Sequence, residues 1–170
     1  MFELKDLPSQ DTLETFALQY RNPDVEGLHL WLMWASSTNA MLAGFTDQLA
    51  RHGLTQAKFF VLLLLLRNPG GLSIAALAEG VNVTSPTMTR IVDRMEAAAL
   101  CGRENDAQDR RAWVVRISPA GEALMAQAMP DHYTWVADLM SHFDADERQQ
   151  IRHLMTKLSQ ATQAVSTSHL

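Results

Sequence analysis

Only one cysteine, Cys101, stands in the 170-residue chain. A lone thiol closes no internal disulfide, so packing must hold the fold, and a reducing compartment suits it. Long apolar runs are missing too. The longest, Phe59 to Leu66 (FFVLLLLL), is eight residues, far short of the about 20 needed to cross a bilayer. It is expected to be a buried helix segment. The first residues include Glu3 and Asp6 and no apolar stretch, so no secretory signal is expected. These absences point to a cytoplasmic protein with no membrane partner. Phosphate-cradling glycine loops, nucleophile elbows and His-Glu-x-x-His runs are absent as well. Without them the chain reads as a non-enzyme with no cofactor. The six histidines (His29, His52, His132, His142, His153, His169) show no ligand spacing, so no metal site is assigned. Charge is sparse at 19%, with a net of −5, which argues against strong nonspecific binding to nucleic acid.

What is present is apolar and periodic. The chain is 47% apolar and free of low-complexity tracts, enough for a globular core. Ser9 can cap a short helix with apolar positions Leu13, Phe16, Ala17 and Tyr20. Asp24 can open a long helix to about His52. Its first turns, Leu28 to Ala35, leave almost no polar side, as expected of a helix buried on several sides, here at a subunit interface. Thr55 caps the next helix, which stops at Asn68-Pro69-Gly70-Gly71. Near the C-terminus, Asp144-x-x-Glu147 has the form of a capping box. That explains the two carboxylates better than a catalytic pair does. Pro130 is expected to kink or restart the helix that Ser118 caps.

The stretch Thr84 to Gly121 (TSPTMTRIVDRMEAAALCGRENDAQDRRAWVVRISPAG) organises the rest. Thr84 and Ser85 are good N-caps and Pro86 fits the first turn. Met88, Ile91, Val92, Met95 and Ala99 make a 3.6-residue apolar stripe. The other face carries Pro86, Thr89, Arg90 and Asp93, flanked by Thr87 and Arg94. Hydroxyls and guanidinium groups near a helix start suit phosphates and base edges in a major groove. Leu100 to Arg103 can form a strand, Glu104 to Arg110 a polar turn, and Ala112 to Ile117 a second strand. Ser118-Pro119 then opens another helix. Trp113 is expected to pack. Upstream, Ser73 to Val81 is a short capped helix, with Asn82 in the turn as a residue that tolerates left-handed backbone. Helix, turn, helix and hairpin together form a DNA-reading unit. Charge agrees. From Thr84 to Arg116 six basic residues (Arg90, Arg94, Arg103, Arg110, Arg111, Arg116) face five acidic ones (Asp93, Glu96, Glu104, Asp106, Asp109), net +1. The remainder is net −6.

Leu72 to Leu100 (LSIAALAEGVNVTSPTMTRIVDRMEAAAL) and Asp109 to Gly121 (DRRAWVVRISPAG) resemble the multiple-antibiotic-resistance regulator (MarR) family. The second stretch is similar to that family's wing signature. Two residues depart from the pattern. Ala99 stands where glycine is frequent after the recognition helix, and Glu104 where a basic residue is common. The resemblance implies a mainly α fold with a small β-wing, a winged helix-turn-helix core between N- and C-terminal dimerisation helices. The corresponding division is an N-terminal extension (1–23), a helical dimerisation region (24–53 and 122–170) and a DNA-binding lobe (54–121). It implies a homodimeric transcriptional regulator, usually a repressor, on a pseudo-palindromic double-stranded operator. A small effector, an aromatic acid among the classes such proteins take, would release it. Ser85, Thr87, Thr89, Arg90, Arg94, Arg110 and Arg111 are the expected DNA contacts, with Asp109 orienting an arginine. His29, Trp31, Trp34 and Thr38 are the candidate effector residues. Two alternatives stand beside this reading. One is a helical ligand- or protein-binding dimer that has lost DNA binding. The other is a metal- or redox-responsive regulator using Cys101 or a meeting of His142 and His153.

Overall fold

The computed structural model describes residues 7–105 and 113–168. The elements are α1 (Gln10–Tyr20), α2 (Val25–Ala50), α3 (Gln56–Arg67), α4 (Ile74–Val81), α5 (Ser85–Ala97), β1 (Cys101–Asn105), β2 (Trp113–Ile117), α6 (Pro119–Ser141) and α7 (Ala145–Ser168). The chain divides into two compact units, Met1–Ala126 and Gln127–Leu170.

Capping sets most of these boundaries. Ser9, Asp24, Thr55, Ser73 and Thr84 each accept a hydrogen bond from a first-turn N–H of α1 to α5, satisfying a donor that would otherwise be orphaned. The capping box at α7 is reciprocal. Asp144 N–H donates to Glu147 Oε2 and Glu147 N–H to Asp144 Oδ1, both at 2.9 Å. α6 runs unbroken through Pro130, so the proline does not restart it.

The core of the first unit is built from Leu49, Phe59, Val61, Leu62, Leu65, Leu77, Met88, Val92, Met95, Val115 and Met125, all essentially inaccessible. Phe59–Leu66 is therefore helical, but not wholly buried: Phe60 and Leu66 are exposed, because a continuous apolar run on a 3.6-residue helix must reach every side. The Gln56 amide ties α3 to α2 by donating to Thr46 Oγ1 (2.7 Å) and the Leu42 carbonyl (3.1 Å).

β1 and β2 pair antiparallel, with Cys101 opposite Ile117 and Asn105 opposite Trp113. Glu104, read as turn from its polarity, lies in β1 opposite Val114. Leu72 joins as a bridge on the other edge: Leu72 N–H donates to the Val115 carbonyl at 3.0 Å and Val115 N–H to the Leu72 carbonyl at 2.8 Å. Gly71 makes this approach possible. Its φ is +86°, and a Cβ there would lie 2.9 Å from the Val115 oxygen. Trp113 is 62% exposed at the outer end of β2, while Val114 and Val115 are both buried, so it does not pack as expected.

Outside this core much apolar surface is uncovered. On α1 only Leu13 is buried, and Phe16 and Tyr20 are exposed. Along α2, Leu30, Trp31, Met33 and Met41 are exposed, and burial is confined to Phe45, Gln48 and Leu49 near its end. α7 exposes Leu154, Met155 and Leu158. Within one copy, then, the apolar start of α2 is not enclosed.

Candidate nucleic-acid interface

α4 and α5 are joined through Asn82, which adopts the left-handed conformation (φ 56°, ψ 52°). Its N–H and that of Val83 turn back onto the carbonyls of Ala78 and Glu79, so the helix end is closed within three residues. That turn sets the angle at which α5 leaves. Met88, Val92 and Met95 are fully buried on one face of α5. Ser85, Thr87, Thr89, Arg90 and Arg94 are all exposed. The apolar stripe stops short of expectation. The helix ends at Ala97, and Ala99 is exposed in a left-handed turn (φ +58°).

The hydroxyls among them are partly committed. The Thr84 and Thr87 hydroxyls lie 2.9 Å apart within the cap. Thr89 Oγ1 donates to the Ser85 carbonyl at 3.0 Å. Its proton is spent, so towards DNA it can only accept, as from an adenine or cytosine amino group, or place its methyl on thymine. First-turn N–H groups are also scarce, since Pro86 has none and that of Thr87 is bound by Thr84. The helix start is a weaker phosphate site than its dipole alone implies.

Charge on the lobe sorts itself. Arg103 on β1 reaches back to α5, where its guanidinium bridges Asp93 (2.5 Å) and Glu96. Its N–H also donates to Glu96 Oε1 at 3.1 Å. Arg116 pairs with Glu104 at 3.3 Å. Arg103 and Arg116 are thus engaged with the lobe's own carboxylates. Among the described residues no ion pair involves Arg90 or Arg94. Arg110 and Arg111, with Asp109, lie outside the described residues. Sequence reading missed the Arg103 bridge. Two carboxylates three apart on the polar face of a reading helix were the signal.

The wing is locked to the helix exit by Ser118. Its N–H donates to the Leu100 carbonyl (3.1 Å), its Oγ donates to the Ala99 carbonyl (2.5 Å), and the same Oγ accepts from Gly121 N–H (3.0 Å). Gly121 sits so close that an added Cβ would fall 2.2 Å from the Leu100 oxygen. The Ser-Pro-x-Gly spacing therefore seats the start of α6 against the end of α5.

The candidate effector residues do not converge. Trp31, Trp34 and Thr38 share a face of α2, whereas His29 lies on another side, about 160° from Trp31 around the helix. Trp31 instead lines an open groove with Phe16, Ala17, Tyr20, Asn22, Asp24 and Leu28, between α1 and α2. Cys101 is buried. Loss of hydration, reinforced by the Glu96 carboxylate and opposed by Arg103, pushes its thiol up to about 11, the reverse of a reactive cysteine. His142 and His153 belong to no group of three possible ligands among the described residues. His132 is held below the ordinary imidazole value by burial and stacks on Trp135. No helix among the described residues is long and apolar enough to cross a membrane.

Two helices across a left-handed turn, followed by a two-stranded hairpin, define a winged helix-turn-helix protein. The MarR family model matches residues 54–113. An uncharacterized HTH-type transcriptional regulator of Bacillus cereus is 30% identical over 133 residues, 78% of this chain and 88% of its own length. The HTH-type transcriptional repressor YetL of Bacillus subtilis is 28% identical over 147 residues, 86% of this chain and 88% of its own. Among solved structures, the transcriptional repressor CouR of Rhodococcus jostii, bound to a 23-mer DNA duplex, superposes with a TM-score of 0.69 at 25% identity, covering 81% of this chain and 96% of that one. The chain belongs to the MarR family of transcriptional regulators.

Proposed function

We propose that the protein is a homodimeric repressor that reads a pseudo-palindromic operator with α5 of each copy. The carrying observation is the division of α5 into a fully buried face (Met88, Val92, Met95) and exposed small hydroxyls and arginines that no ion pair among the described residues engages. Two such helices would enter successive major grooves about one helical turn apart. Ser85, Thr87, Thr89 and Arg90 would contact base edges or nearby phosphates, and Arg94 phosphates. Arg110 and Arg111 on the wing would reach a minor groove or its backbone. On this reading DNA recognition would fall to 54–121 and dimerisation to 24–53 and 122–170. The extension 1–23 adds an arm to the latter. Relatives named as repressors, and CouR on its duplex, support this polarity. A small effector, an aromatic acid in the first instance, would favour a dimer whose half-site spacing does not fit the operator. The protein would act in the cytoplasm, without catalytic chemistry.

The test is fluorescence anisotropy of the dimer on DNA flanking its own gene, with random duplex as competitor, at two salt concentrations. Saturable binding that survives the competitor is expected, and aromatic acids should then release it. Binding no tighter than to random duplex, at low salt as well, would overturn the operator reading in favour of a helical dimer that has lost DNA recognition.

A further inference from the structure

α5 has an electrostatic fault that its neighbour corrects. At about 100° per residue, Glu96 and Asp93 fall on either side of Thr89, on the face proposed to read DNA. Arg90 and Arg94 occupy the adjacent sector. The reading face is thus acidic along one half and basic along the other. Uncompensated, two carboxylates so placed would oppose a phosphate backbone at close range, and interactions between charges within a few ångströms are little screened by salt.

Among the described residues the group that answers both is Arg103, three residues past the Leu100 turn. It is anchored three times: to Asp93, to Glu96, and by its own N–H to Glu96. A planar guanidinium can serve two carboxylates at once, which an ammonium point charge does less well. Its side chain retains 28% exposure, against 54% for Asp93 and 38% for Glu96. The carboxylates are capped from the wing side while remaining at the surface. Because Arg103 belongs to β1, the same contacts fix the root of the wing to the C-terminal half of the reading helix.

We infer that Arg103 is a positioning residue for operator binding, neutralising Asp93 and Glu96 on the reading face and setting the wing's approach relative to α5. This rests on α5 being the reading helix. It goes further in assigning a basic residue of the lobe to the protein's own carboxylates rather than to DNA.

The experiment uses the full-length dimer and four variants: Arg103→Gln, Arg103→Lys, the pair Asp93→Asn with Glu96→Gln, and the triple combination with Arg103→Gln. Each is measured for thermal unfolding and for operator affinity over a salt series. Arg103→Gln should weaken operator binding at least tenfold at low salt. Arg103→Lys should recover only part of that. The triple variant should return to within about threefold of the parent, with Tm still lowered. Rescue of this kind separates charge compensation from mere folding. Two outcomes overturn the inference. In the first, Arg103→Gln lowers Tm but leaves the affinity of the folded dimer unchanged. In the second, the triple variant binds no better than Arg103→Gln. If the parent shows no operator binding at all, the function reading fails instead. The inference then fails with it, recognisably, because no variant has a binding signal to lose.

Discussion

Ala99 shows how much one backbone angle can decide. It follows the α5 cap with φ +58°, and its N–H and that of Leu100 close the helix onto Glu96 and Met95. A left-handed residue with a Cβ costs about 1–2 kcal/mol. Glycine would remove that strain but would lose about 0.4–1 kcal/mol through a freer unfolded chain. The first effect is larger, so Ala99→Gly should raise stability by roughly 0.5–1 kcal/mol. Urea unfolding at unchanged slope checks this, and a lower midpoint would mean the turn relaxes elsewhere. Cys101 makes a second residue-scale prediction. Its thiol is raised from an ordinary 9.0 to about 11. A raised folded value means the folded state holds its proton more tightly. The stability it contributes is present below about pH 9 and lost as pH rises towards 11. Cys101→Ala should flatten that stretch of the stability curve. Alkylation of the folded protein at pH 8 should be far slower than of the unfolded chain, whereas rapid labelling would restore the redox-sensing reading.

At the scale of elements, α5 and the wing divide affinity from specificity. Arg90 lies on the exposed face of a helix whose other face is fixed by Met88, Val92 and Met95. Arg111 belongs to the proposed wing tip. If Arg90 bonds a base edge, Arg90→Ala should cost about 1–3 kcal/mol on the preferred operator and less on variants, relaxing sequence preference. If Arg111 bonds a phosphate, Arg111→Ala should weaken binding to every duplex and reduce the slope of log K against log salt by about 1. Anisotropy on a panel of operator variants separates the two. Uniform weakening by Arg90→Ala would make it a positioning group, and an unchanged slope for Arg111→Ala would remove it from the phosphate backbone. These elements were also the legible part of the sequence. Caps, Asn82, the apolar stripe and the hairpin are local signals, written in residues near one another. Arg103 with Asp93, Leu72 with Val115 and Gly121 with Leu100 are separated along the chain. No periodicity reports them. Trp113 was misread because strand propensity says nothing about whether a strand end is covered.

Across the whole molecule, the uncovered apolar surface carries the argument for two copies. α7 begins with a satisfied capping box and presents Ile151, Leu154, Met155 and Leu158 at spacings of three and four. Those signals predicted the helix correctly. What a single sequence could not show is that Leu154, Met155 and Leu158 remain exposed in one copy, since periodicity marks a buried face without saying which chain buries it. Replacing Leu154 and Leu158 together with aspartate should leave the cap, and so the helix, in place while charging the apolar stripe. Dimerisation should then weaken by at least a hundredfold in sedimentation equilibrium. Operator affinity should fall too, because binding the second half-site ceases to be intramolecular, an advantage on the order of 10²–10⁴. A half-site duplex supplies the control, for the variant and the parent should bind it alike through one lobe. Retained dimerisation would place the interface on the other exposed apolar surface, on α1 and α2. If dimerisation is lost but full operator affinity kept, a single copy is the binding unit, and the pseudo-palindrome is no longer required.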